Sequence, residues 1–130
     1  MIGLDTNVVI RFLTHDDPSQ TAAALRLMNT LSAESPGFVS LVVVVEIVWV
    51  LKISYVYTKK EIEQVLDGLL RSKELVIERA EIVFQALRKF SGSRTDFADC
   101  LIEYCGHAAG CEHTFTFDRN AAGAGMRLLG

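Results

Sequence analysis

Residues 95–118 read TDFADCLIEYCGHAAGCEHTFTFD, and the placing of the acids in this stretch decides the architecture. Asp96 and Asp99 stand three apart where a helix begins, so both carboxylates fall on one face of its first turn. A helix N-terminus tolerates negative charge there. Apolar Leu101, Ile102, Cys105 and Ala108 carry the helical spacing on until it stops at Gly110. The short apolar run Thr114–Phe117 then ends on Asp118, as a strand does when it delivers a carboxylate at its tip. The same pattern opens the chain, where Met1–Leu4 run into Asp5. Two strands that each end in an aspartate, in a chain that alternates strands and helices, put both acids on the carboxyl edge of a parallel sheet. That edge is where open α/β folds bind ligands.

The rest of the chain supports the alternation. After Asp5 come Thr6 and Asn7, then Val8, Val9, Phe12 and Leu13 at helical spacing. Asp16, Asp17 and Pro18 start a second helix, which Glu34–Gly37 end as a turn. A strand is expected over Phe38–Ser40. Leu41–Leu51 is apolar except for Glu46. Its four successive valines favour a strand, but its length and Ser40 as an N-cap favour a buried helix, and helix is the reading adopted. Glu46 is then expected among core residues, where an unpaired carboxylate is costly. Thr58 and Glu61 make a capping box for the next helix. Leu75–Ile77 reads as a third strand, Arg79–Phe90 as a helix, and Ser91–Arg94 as a loop. Met126, Leu128 and Leu129 are expected to form a last edge strand.

At 130 residues the chain is expected to form a single domain over 1–130. Its formal charge of −3 gives no overall basic field, so any nucleic-acid contact must come from a local group of Lys and Arg. No secretion-leader pattern or membrane-span run is present, and a cytoplasmic, non-membrane protein is expected. The three cysteines, Cys100, Cys105 and Cys111, are clustered and odd in number, which fits reduced thiols better than a disulfide framework.

Bringing Asp5, Glu46, Asp99 and Asp118 into one pocket, with Asp96 at its rim, raises a repulsion problem. Two carboxylates about 4 Å apart repel by roughly 4 kcal/mol at an effective dielectric near 20. Cations or shared protons must offset that. Oxygen-only ligation suits Mg²⁺ or Mn²⁺ rather than zinc, and such ions bind phosphates, which points to phosphoester hydrolysis.

Four pieces in order, LDTNVVI (4–10), the acid of VVVVEIVWVL (Glu46), DCLIEYC from Asp99, and TFD (116–118), resemble the PIN-domain ribonucleases of the VapC toxin type over nearly the whole chain. The resemblance implies an α/β protein, a three-layer α/β/α PIN-like fold with a central, mostly parallel sheet of four to five short strands. It implies a Mg²⁺-dependent endoribonuclease, with Mn²⁺ able to substitute, acting as the toxin of a toxin–antitoxin pair. Asp5, Glu46, Asp99 and Asp118 match the family's acidic quartet, with Asp5 and Asp99 at its main metal-ligand positions and Asp96 as an alternative ligand. Thr116 matches the hydroxyl that supports the site, and Thr6 and Asn7 its first-turn polar residues. The implied partners are an RNA substrate, a cognate antitoxin and a second copy in a homodimer. A self-association face and an antitoxin groove are compatible with the apolar surplus of the helices from Leu41 and Thr58.

Arg94 and Arg119, adjoining the acids, are candidates for RNA phosphate contacts. Trp49 reads as core or interface before it reads as a base-stacking residue. The CGHAAGCEH segment lacks the spacing of common zinc sites. Two other readings remain open: a catalytically inert PIN-like module that binds RNA or a protein, and a small-molecule phosphatase. The second lacks the further aspartate two residues after Asp5 that haloacid-dehalogenase phosphatases need, since that position is Asn7.

Overall fold

A computed structural model describes residues 1–130, and the chain resolves into two compact units, Met1–Glu78 and Arg79–Gly130. The first unit is built on three parallel strands, β1 (Ile2–Gly3), β2 (Gly37–Val39) and β3 (Leu75–Ile77), in that spatial order. Ile2 pairs with Gly37, and Gly37, Phe38 and Val39 pair with Leu75, Val76 and Ile77. Glycine at 37 has a steric reason, because a Cβ there would lie 2.7 Å from Leu4 Cδ1 and 3.0 Å from Leu31 Cδ1.

Parallel neighbours need crossovers, and helix pairs supply them. Helices α1 (Thr6–Thr14) and α2 (Pro18–Asn29) link β1 to β2, while α3 (Leu41–Ile53) and α4 (Lys59–Arg71) link β2 to β3. Their starts are encoded locally. The Asp17 carboxylate accepts from Gln20 N–H with Pro18 at the first helical position, and the Ser40 hydroxyl accepts from Val43 N–H. Thr58 and Glu61 exchange both bonds of a capping box, at 3.2 and 2.8 Å. Val9, Ile10, Val39, Val44, Ile47, Leu51 and Leu66 form the centre of this unit's core. A polar knot ties α1 to the end of α3: Arg11 donates to Asp16 and to the Tyr55 hydroxyl, which itself donates to Asp16 at 2.6 Å.

The second unit packs α5 (Ala80–Ser91) on α6 (Phe97–Ala108) through Ile82, Val83, Ala86, Leu87, Cys100 and Leu101. Phe90 and Phe97 meet edge to face at 6.0 Å. Strands β4 (Phe115–Thr116) and β5 (Arg127–Leu128) run parallel, joined by the short helix α7 (Arg119–Gly123). No disulfide joins the cysteines.

The expected α/β architecture with short parallel strands is present, its five strands hydrogen-bonded as three and two. Leu41–Leu51 is helical, with the N-cap read from Ser40. Three local expectations need correction. Glu46 is exposed rather than among core residues, because Ile47 and Val48, not position 46, turn toward the core of the unit. Of the core or interface reading of Trp49, the core half falls, since the residue is 62 % exposed. The strand expected over Thr114–Phe117 is shorter, β4 stopping at Thr116 and leaving Phe117 exposed, and α7 follows Asp118.

Candidate functional site

Within the first unit, Asp5 follows β1 and is the N-cap of α1, with extended backbone at φ −78° and ψ 159°. Its carbonyl accepts the first helical N–H groups, from Val8 and Val9. The carboxylate makes no capping bond and is exposed. Thr6, the next residue, is buried, and its hydroxyl has no hydrogen-bond partner within the protein. An unmet buried hydroxyl costs about 1–3 kcal/mol. Asn7 is exposed and lines a shallow groove between α1 and α2 together with Val8, Arg11, Gln20 and Ala23. Glu46 stands on the exposed side of α3, midway along it.

The second unit brings three acids together. Asp96 is the N-cap of α6, and Asp99 lies in that helix's first turn. Like Asp5, Asp96 makes no side-chain capping bond, although aspartate is among the best capping residues. Asp118 follows β4 and caps α7, its Oδ1 accepting from Asn120 N–H at 2.8 Å. Thr116 Oγ1 accepts from Asp118 N–H at 3.0 Å, fixing the turn that carries the acid. Arg94 and Arg119, on either side of these acids in sequence, are both exposed.

What holds the two acid-bearing segments in register is a residue that sequence reading did not single out for the site. Thr95 is 3 % exposed, and its hydroxyl donates to the Asn120 carbonyl at 2.8 Å. The start of α6 and the turn after Asp118 are thereby tied across 25 residues of chain. No local pattern marks such a pair; a threonine just before a helix cap reads only as a helix-start residue.

The electrostatic consequence falls on Asp99. Its carboxyl is raised above the ordinary carboxylate range, first by partial burial and then by the charges of Asp96 and Asp118. The unit therefore concentrates like charge at a helix N-terminus, where the dipole relieves a part of it. No three His, Cys, Asp or Glu side chains converge closely enough to cage an ion. Mg²⁺ does not require a cage, since it commonly binds through one or two carboxylates and keeps several waters. The oxygen-only donor set around Asp99 fits such a hard divalent cation.

The family model for the PIN domain matches residues 2–125 of the chain. Among curated proteins, a VapC ribonuclease from Aquifex aeolicus (strain VF5) is 23 % identical over 127 residues, covering 97 % of this chain and 93 % of that protein. The family match runs through both units and includes every acid described above.

Proposed function

Because the chain belongs to the PIN-domain family, we propose that it is a Mg²⁺-dependent endoribonuclease of the VapC type, the toxin of a toxin–antitoxin pair. The observation that carries the reading is the PIN match over residues 2–125, which spans Asp5, Glu46, Asp96, Asp99 and Asp118; the raised carboxyl of Asp99, from partial burial and then the charges of Asp96 and Asp118, agrees with it. Likeness to a VapC ribonuclease over almost the full length of both proteins supports the toxin assignment.

By likeness to the family, Asp5 and Asp99 would be the principal metal ligands, Asp118 and Glu46 would complete the acid set, and Asp96 would be the alternative ligand beside Asp99. When bound, Mg²⁺ lowers the pKa of an attacking water and neutralises charge developing on the phosphate. Mn²⁺ substitutes for it. The protein's own groups do the rest. Glu46 or Asp118 accepts a hydrogen bond from the water and sets its direction. Thr116 holds the turn that presents Asp118, and Thr6 and Asn7 shape the first turn beside Asp5. Arg94 and Arg119, both exposed, are the candidates for RNA phosphate contacts. Cytoplasmic location, a cognate antitoxin and a homodimeric state belong to the same reading; no helix is long and apolar enough to cross a membrane.

The test is cleavage of a mixed RNA pool by purified, antitoxin-free protein in Mg²⁺, in Mn²⁺ and in EDTA, beside the Asp99→Asn and Asp5→Asn variants. Metal-dependent cleavage lost in both variants is expected. Metal-dependent cleavage kept by both variants defeats the site assignment, and no cleavage by the folded native chain favours an inert binding module.

A further inference from the structure

In the second unit, the segment that leads into Asp118 reverses the usual pattern of a half-covered strand. Successive side chains of an extended segment face opposite ways, and apolar residues normally turn inward while polar ones face water. Here Thr114 and Thr116 are half-buried, whereas Phe115 is 55 % exposed and Phe117 79 %. Burying a phenylalanine stabilises a fold by about 1.5–3 kcal/mol, and Phe117 forgoes most of that. The segment is nonetheless fixed. Leu129 N–H donates to the Thr116 carbonyl at 2.8 Å, and Asp118 N–H donates to Thr116 Oγ1 at 3.0 Å. The backbone of Phe117 is thus held from both ends while its ring stands in water.

Position and charge together say what the ring is for. Phe117 directly precedes Asp118, so the ring is anchored about 3.8 Å along the chain from an acid of the proposed site. Phe115 pairs in register with Arg127 on the parallel strand β5. In-register neighbours of parallel strands point the same way, about 4.8 Å apart, so the exposed Arg127 flanks Phe115. Arg119, also exposed, follows Asp118. On a chain of net charge −3, exposed rings interleaved with arginines are what an unpaired nucleic-acid strand requires, because arginines attract its phosphates and rings offer faces to its bases. The acid one residue from the ring selects an RNA strand as occupant over an apolar protein surface. Bases in a duplex are already stacked on both faces, so the ring can take only a base that is splayed out.

We propose that Phe117 stacks an unpaired base beside the cleaved phosphate, with Phe115 and Arg127 continuing the platform, so that the chain acts on single-stranded RNA. This deepens the nuclease reading and rests on it for the place of the cut; the stacking itself is read without cleavage.

The test is RNA binding by the full chain in EDTA, which holds cleavage off. The chain has one tryptophan, so Trp49→Phe combined with Phe117→Trp moves the sole indole to the proposed platform. Its emission should be quenched saturably by a single-stranded oligouridine and not by the same strand annealed to oligoadenine. Followed by fluorescence anisotropy of labelled oligouridine, Phe117→Leu should weaken binding about five- to a hundredfold, with melting temperature and far-UV circular dichroism unchanged because the side chain is exposed. Phe117→Tyr should bind as the native chain does. Arg127→Ala should lower the slope of log affinity against log salt by about 1. Equal affinity for the single strand and the duplex overturns the proposal, as does native binding by Phe117→Leu or an indole at 117 that the single strand leaves unquenched. Cleavage in Mg²⁺ by the same preparations judges the nuclease reading separately. A chain that cuts RNA but binds it without regard to residue 117 refutes the stacking alone, and a chain whose single-strand binding needs Phe117 but which cuts nothing refutes the nuclease alone.

Discussion

Removing one hydroxyl at Thr95 tests how the acids of the second unit are held. Thr95→Val keeps the side chain's shape and opens no cavity. What is lost is the 2.8 Å bond from Oγ1 to the Asn120 carbonyl. A net intramolecular hydrogen bond is worth about 1 kcal/mol, and a buried acceptor left unmet raises the cost to as much as about 3 kcal/mol. Asn120 is exposed, so water can replace the lost donor, and the lower figure applies. In a chain of this size about 1 kcal/mol lowers Tm by roughly 3–5 °C. The larger effect is expected in cleavage, because the bond ties the turn after Asp118 to the start of the helix that carries Asp96 and Asp99. A lower kcat with an unchanged metal requirement is expected. Asp99, relieved of part of the charge of Asp118, should titrate closer to an ordinary carboxylate when followed by carbon-detected NMR. A variant with native Tm, native cleavage and an unmoved Asp99 titration would refute the idea that this hydroxyl sets the cluster.

Three further outcomes follow from the same physics. The raised carboxyl of Asp99 means the native state keeps its proton to higher pH than the unfolded chain does. Stability therefore falls as pH rises from the ordinary value of 3.8 through the native one, and the full penalty stands at neutral pH. Asp99→Asn should accordingly stabilise the metal-free protein at pH 7 by less than about 1 kcal/mol, the group being largely solvated, and the gain should vanish in acid; urea unfolding in EDTA at both pH values measures it, and a destabilised variant at pH 7 contradicts the sign. Thr6→Val removes a buried hydroxyl that has no partner and should leave stability unchanged or raise it by about 1 kcal/mol while lowering cleavage; a loss of stability shows that the hydroxyl is satisfied after all. Gly37→Ala puts a Cβ 2.7 Å from Leu4 Cδ1, and since the obstructing atoms are the ends of leucine side chains, the cost should be near the low end of overpacking, about 1 kcal/mol, read as a lower urea midpoint with unchanged slope.

Local signals carried most of the fold. Ser40, Thr58 with Glu61, and Asp17 with Pro18 each cap the helix that their types and spacing announce, because capping involves atoms only a few residues apart. Glu46 shows where local reading stops. An acid in an apolar run looks buried, but a helix has two sides, and which one the unit covers depends on packing that no short window contains. The same limit hid the exposure of Trp49. Helix α7 was illegible for another reason: Asp118 is both the end of a strand reading and the cap of a five-residue helix, too short to show a period. Of the acid cluster, the shared face of Asp96 and Asp99 was legible from their spacing. The approach of Asp118 was legible only as an expectation about sheet edges, since the bond that enforces it joins Thr95 to Asn120.

The caps themselves separate structural from chemical acids. Aspartate and its short polar relatives stabilise a helix start by about 1 kcal/mol when the side chain accepts an N–H of the first turn, and Asp17, Ser40 and Thr58 all do so. Asp5 and Asp96 occupy the same position with the same extended backbone, and neither side chain caps. Each therefore forgoes a stabilising bond that its own chemistry and location offer. Such a departure, in a chain that follows the rule at its other long helices starting from a capping residue, is what the proposed site role of Asp5 predicts. Asp118 departs in a different way, since one of its oxygens caps α7 while its charge acts on Asp99. On this argument Asp5→Asn should cost the fold almost nothing, whereas Asp118→Ala should cost about 1 kcal/mol beyond its effect on cleavage. Equal destabilisation by both would show that the uncapped geometry at Asp5 carries no functional meaning.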